Sequence, residues 1–131
     1  MGKDFRYKPG TGPLIFVVDD EPMLLDLAED MLKSEGFQVR TFQDPSRAVE
    51  EYAAAKPRPI LVLTDYAMSG MNGLDVIREC RRIQPSQKII LVSGTVDEGI
   101  YADSGVKPDS FLSKPFNPDQ FMAAVRALAE D

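Results

Sequence analysis

The chain has 131 residues, 44% hydrophobic and 27% charged, with a net charge of −6: enough for one domain with an ordinary core. It contains no histidine, which excludes Ser-His and Cys-His catalysis, conventional zinc sites and a phosphohistidine carried by this chain. Its fifteen basic residues are scattered, so an acidic domain gains nothing from counterion release and direct nucleic-acid binding is not expected.

Residues 1–12, with Pro9, Gly10 and Gly12 and little periodicity, are expected to form a flexible tail ahead of a domain at 13–131. Lys3, Asp4, Arg6 and Lys8 have no apolar stretch behind them, unlike a signal peptide, and no apolar run approaches the roughly 20 residues that cross a bilayer. Cys80 is the only cysteine and sits in the helical pattern Leu74, Ile77, Cys80, so it reads as a packing residue in a reducing compartment. A cytoplasmic location and no membrane span follow as expectations.

The first strand is expected at Leu14–Val18, ending in Asp19-Asp20-Glu21. Pro22 then opens a helix with Leu24, Leu25, Leu27, Ala28, Met31 and Leu32 on its apolar face, closed by Gly36. Phe37 to Phe42 alternates as a strand near the sheet edge. Asp44-Pro45 caps a helix that turns Ala48, Val49, Tyr52 and Ala53 inward, closed by Pro57 and Pro59. The apolar run Leu61-Val62-Leu63-Thr64 predicts an interior strand stopping at Asp65, before the small, flexible residues Ala67 to Gly73.

A helix is expected from Leu74 to Ile83, ended by Pro85, and a strand from Lys88 to Val92, followed by Ser93-Gly94-Thr95. Asp97 to Ala102 is the weakest stretch, one or two helical turns at most, because Gly99, Gly105 and Pro108 oppose a long helix. A short strand at Ser110–Ser113 precedes Lys114-Pro115. Asn117-Pro118-Asp119-Gln120 then reads as N-cap, N1 proline and capping-box partner for a helix burying Phe121, Met122, Val125 and Leu128. Five β-α repeats with right-handed crossovers predict a doubly wound α/β domain of three layers, a parallel sheet covered on both faces.

In such sheets ligands bind at the carboxyl ends of the strands. Parallel, adjacent strands would gather Asp19, Asp20, Asp65, Ser93 and Lys114 at one rim. Singly these are ordinary caps, turn residues or a solvated lysine; jointly they are unusual. Two like charges about 4 Å apart repel by roughly 4 kcal/mol at an effective dielectric near 20, so the acids call for a proton or a cation. Magnesium suits an all-oxygen set that can share a phosphate oxygen. Lys114 can then neutralise a phosphoryl oxygen, Ser93 can donate a hydrogen bond to another, and Asp65 is placed as a carboxylate nucleophile.

The combination of Asp19-Asp20, Asp65, Met68 through Gly73, Ser93-Gly94 and Lys114-Pro115-Phe116 closely resembles the receiver domain of two-component response regulators, over residues 13–131. The resemblance implies the flavodoxin-like (βα)5 fold with sheet order 2-1-3-4-5, for which chemotaxis receivers are a worked example of the general rule. It implies that Asp65 is the phosphoacceptor, with magnesium held by Asp20, by Asp19 through water, by Asp65 and by the backbone carbonyl of Ala67. Lys114 becomes the phosphate countercharge, before a cis peptide to Pro115. Ser93 is the switch hydroxyl and Phe111 the aromatic that changes packing with it.

Implied partners are a histidine kinase or phosphotransfer protein as donor and a downstream protein, with the chain a monomer or a weak phosphorylation-dependent dimer. Phe111 stands where tyrosine is frequent and Ser69 where proline is, which removes a hydroxyl and loosens the loop after Asp65. Ala67 and Thr95 carry no acid or amide to orient water, so slow self-hydrolysis is expected; a phosphoryl half-life of seconds would contradict it. With no output domain after Asp131, the chain is expected to act by protein contact, unless it is a receiver cut from a hybrid kinase or longer regulator. An aspartate-nucleophile phosphatase is disfavoured because Asp19-Asp20-Glu21 is not D-x-D and no substrate cap is present. A receiver-like adaptor that is never phosphorylated is disfavoured by the complete acid set.

Overall fold

Side chains alternate along the strands and divide the core in two, one half on each face of a single sheet. The computed structural model describes residues 7–94 and 105–129. Five strands, β1 (Leu14–Val18), β2 (Gln38–Phe42), β3 (Leu61–Asp65), β4 (Lys88–Ser93) and β5 (Ser110–Ser113), lie in the order β2-β1-β3-β4-β5 with every pairing parallel. The helices are α1 (Pro22–Ser34), α2 (Pro45–Ala54), α3 (Gly73–Ile83) and α4 (Pro118–Ala129). On one face Ile15, Leu63 and Ile90 pack with Leu25 of α1 and Phe121 of α4. On the other Phe16, Val62 and Leu91 pack with Tyr52 of α2 and Ile77 of α3. This is the expected three-layer α/β fold, and β3 at its centre is buried along its whole length.

Local chemistry sets the helix starts. Asp44 accepts a hydrogen bond from the Ser46 amide at 2.9 Å ahead of Pro45. Asn117 and Gln120 exchange reciprocal bonds at 2.8 Å, the expected capping box. Gly36 ends α1 at φ +94°, and a Cβ there would meet the Tyr7 carbonyl oxygen at 2.2 Å, so only glycine fits. Lys56–Pro57 and Lys114–Pro115 are cis, the second as expected.

Several expectations are corrected. The buried stripe of α1 is Leu25, Ala28 and Leu32, whereas Leu27 is 46% and Met23 84% exposed; the apolar pattern is wider than the face the sheet can cover. Ala53 of α2 is exposed, and Phe37 is buried ahead of β2 rather than alternating within it. The end of the expected tail is docked: the Tyr7 amide donates to Glu35 O at 3.1 Å, the Gly12 amide to Gly36 O at 2.9 Å, and the Tyr7 ring meets Phe37 edge-on at 5.4 Å. Aromatic burial outweighs the chain entropy of these few residues. The stretch Asp97 to Ala102, and Thr95, lie outside the described residues. Among the described residues no helix is long and apolar enough to cross a membrane.

Candidate functional site

Register brings the acids together. β3 lies between β1 and β4, pairing Val18 with Thr64 and Asp65 with Val92, so Asp19, the residue after Val18, stands beside Asp65. The β4–β5 register pairs Ser93 with Ser113, and the Lys114 amide donates to Ser93 O at 2.9 Å. Asp19, Asp65 and Ser93 are buried, Asp20, Lys114 and Phe111 are half-buried, and Ala67 and Pro115 are exposed. Oxygens of Asp19, Asp20 and Asp65 all lie within 4.8 Å of one another. The Lys114 ammonium sits 3.2 Å from Asp19 Oδ2, 3.3 Å from Asp65 Oδ1 and 3.4 Å from Glu21 Oε1.

Asp19 combines its two possible roles: Oδ1 accepts the Glu21 amide at 2.9 Å, as a turn residue would, and Oδ2 faces Lys114. The N-cap of α1 is Glu21, and its side chain caps nothing in its own helix. The loop after Asp65 is closed by a second, unforeseen capping box in which Asn72 and Asp75 exchange bonds at 3.0 Å. Gly73 packs so closely that a Cβ would lie 2.5 Å from the Asp65 carbonyl oxygen.

Three carboxylates thus contact one ammonium, with Asp20 beside two of them, and the titration of the group reflects the imbalance. Burial and the neighbouring Asp19 push the Asp65 carboxyl up to about 6, against the lowering pull of Lys114. Burial also raises Asp19, despite the Glu21 amide and Lys114. Burial opposes charge on Lys114, but Asp19 and Asp65 outweigh it and hold the ammonium above its usual range. The donor set is all oxygen and carries excess negative charge, which fits a hard divalent cation and not zinc or copper. Cys80 is 2% exposed and pushed up to about 12 by burial, so it is an inert core thiol.

Sequence reasoning missed the ion pair between Glu21 and Lys114, whose only local signal is a third acid in the run Asp19-Asp20-Glu21. It placed Leu24 only on the apolar face of α1 and Phe116 only in the motif after Lys114, whereas both wall the apolar side of the cluster beside Lys114.

A parallel sheet with these acids at its carboxyl rim is the architecture of an aspartate-centred signalling domain. Residues 15–126 match the response regulator receiver domain family, and the chain belongs to it. It is 38% identical over 115 residues to the DNA-binding response regulator MtrA of Mycolicibacterium smegmatis, covering 86% of this chain and 49% of that protein. It is 30% identical over 123 residues to the chemotaxis protein CheY of Thermotoga maritima, covering 91% of this chain and 99% of CheY. The chain spans about half the length of the curated relatives it matches first. Among solved structures, the response regulator TrrA of Thermotoga maritima in complex with Mg2+-BeF superposes with a TM-score of 0.78 at 30% identity, over 88% of this chain and 98% of that one. A receiver protein of Sinorhizobium medicae gives 0.80 at 32% identity, over 92% and 96%. The chain is therefore a receiver domain of two-component signalling, a phosphoacceptor module homologous to response regulators.

Proposed function

We propose that Asp65 receives the phosphoryl group, from a histidine kinase or a histidine phosphotransfer protein. A bond forms between an Asp65 carboxylate oxygen and phosphorus as the donor's bond to phosphorus breaks; the departing group keeps the electron pair and takes a proton from solvent. The observation that carries this assignment is the convergence of Asp19 and Asp20, with oxygens within 4.8 Å, on the acceptor Asp65, which Lys114 Nζ approaches to 3.3 Å. Asp19, Asp20, Asp65 and the Ala67 carbonyl would hold magnesium, which when bound supplies positive charge against the phosphoryl oxygens. Lys114 exchanges its carboxylate contacts for one to the new dianion.

Ser93 donates its hydroxyl to another phosphoryl oxygen, and Phe111 repacks with it. Its ring rests half-buried on the α2–α3 side of the core, where a change of rotamer alters the surface offered to a downstream protein. Only about 20 Å3 of space is enclosed among Asp19, Asp65, Lys114 and Leu24, which favours a group received at the surface over a substrate held in a chamber. The chain acts as a switch rather than a turnover enzyme, in the cytoplasm, as a monomer or weak phosphorylation-dependent dimer. Beside the acceptor, Leu24, Leu27, Pro115 and Phe116 border an apolar groove of about 310 Å3 that a donor protein could cover.

The test is incubation with acetyl phosphate, with and without magnesium, followed by intact mass. One phosphoryl group should add in a magnesium-dependent manner, none to Asp65→Asn, and more slowly to Lys114→Ala, which should stay folded. An adduct that survives Asp65→Asn, or multiple turnover of a phosphoester, would overturn the assignment.

A further inference from the structure

The opposite rim of the sheet carries a cleft of about 510 Å3, within the range that holds small ligands. Arg58, Ile60, Ser86, Gln87, Lys88 and Leu128 line it, among others. No acidic side chain lines it among the described residues, although the chain as a whole carries a charge of −6. We propose that this cleft is a second binding site, for a small molecule bearing a carboxylate or phosphate group, anchored by Arg58.

Gln87, in the wall of the cleft, is fixed from behind. Tyr52 is fully buried, its hydroxyl donates to Gln87 Oε1 at 2.6 Å, and Gln87 Nε2 donates to Lys88 O at 3.1 Å. Over this ring stands the Arg58 guanidinium, 5.7 Å from its centroid, which orients a planar fork of donors. Arg58 makes no ion pair among the described residues, and its Nε is buried without a hydrogen-bond acceptor. Arg58 is half-buried: Nε is closed off against the protein, while the terminal amino groups make no hydrogen bond among the described residues, and an oxyanion in the cleft would give them their acceptor.

Other lining groups extend the same chemistry. Lys88 Nζ reaches Leu128 O at 3.2 Å, which keeps a second positive charge at the cleft edge. Ser86 Oγ accepts from Gln84 Nε2 at 3.0 Å, leaving its own hydroxyl proton to donate. Pro13, Ile60 and Leu128 offer apolar surface to the ligand's body. Ile60 precedes β3 and Asp65 ends it, a separation of about 17 Å along a strand of this length, so the cleft is independent of the acceptor site and of its assignment.

The test is a titration of nitrogen-labelled protein, in magnesium-free buffer, with citrate and separately with pyrophosphate, read by amide chemical shifts. Saturable shifts at Arg58, Ile60 and residues 86–88 are expected with at least one probe, weakened at least about tenfold in Arg58→Gln and less in Arg58→Lys. Saturation by citrate alone assigns a carboxylate ligand, and by pyrophosphate alone a phosphate. Arg58→Gln should still take one phosphoryl group from acetyl phosphate at the unaltered rate. The proposal is overturned if neither probe saturates, if Arg58→Gln binds as well as the parent, or if the shifts centre on residues 19, 65 and 114. Should Arg58→Gln lose its folded spectrum, Lys88→Gln must show a several-fold loss instead, and unchanged binding there overturns the proposal equally.

Discussion

At the carboxyl rim of the sheet four carboxylates gather where there is a single ammonium, three of them in contact with it, whereas at the amino rim most buried polar groups have found partners. There the Tyr52 hydroxyl meets Gln87 at 2.6 Å, and Asp109 Oδ2 takes the Ile89 amide at 2.8 Å and Arg81 at 2.7 Å. Arg58 Nε is the exception. The same strands serve both ends, so the contrast comes from the residues that follow and precede them. Bonds satisfied within the protein stabilise the fold, and charge left unbalanced leaves an opening for a ligand.

The largest effect expected from this contrast is at the amino rim. Tyr52→Ala removes a fully buried ring from the α2–α3 half of the core and should cost about 3–5 kcal/mol in urea denaturation. Tyr52→Phe leaves Gln87 Oε1 without its donor and should cost about 1–3 kcal/mol. Neither should change the phosphoryl adduct per folded molecule; an adduct lost without a loss of stability would break the division between the two rims.

At the carboxyl rim ligands and charge removal should stabilise. Magnesium at a hundredfold excess over its dissociation constant should add about 2.7 kcal/mol to the parent, and distinctly less to Asp20→Asn. Asp65→Asn, in magnesium-free buffer, should itself be stabilising. The folded-state carboxyl sits at about 6 against a usual 3.8, so the folded form binds the proton more tightly than the unfolded chain. The stability this lends is full below the unfolded value and is lost as pH rises through about 6. Ionised Asp65 therefore burdens the fold at pH 8, by up to about 3 kcal/mol, a net figure that already includes its contact with Lys114. The substitution should gain about 1–3 kcal/mol at pH 8 and nothing below pH 4. Urea midpoints across that range decide it, and a gain that grows as pH falls would reverse the sign.

Strand ends such as Asp19, Asp65 and Lys114 were legible because an apolar run that stops at a polar residue carries its own boundary. The sheet order was not contained in that pattern; it came with the resemblance. Contacts that close over long sequence separations were hidden: Tyr7 against Phe37, and Glu21 with Lys114 across 93 residues. Leu27 and Ala53 were misplaced because a period of 3.6 gives the apolar stripe but not how wide a strip its neighbours cover. The Asn72–Asp75 box escaped because its third helical residue is Asp, where Asn117 has the usual Gln.

That box gives the smallest effect and the finest comparison. Asn72 and Asp44 both accept from the first turn of a helix at this rim, at 3.0 and 2.9 Å, so replacing either by alanine should cost about 1 kcal/mol. The two differ in what lies beside them. Asn72 fixes the start of α3, where Gly73 abuts the Asp65 carbonyl and its amide donates to Tyr66 O at 2.9 Å; Asp44 follows β2 at the sheet edge. Asn72→Ala should therefore slow adduct formation from acetyl phosphate several-fold while Asp44→Ala leaves it unchanged. Equal rates in the two variants would mean that the loop after Asp65 holds its shape without the cap, and that the carboxyl rim is positioned by the strand register alone.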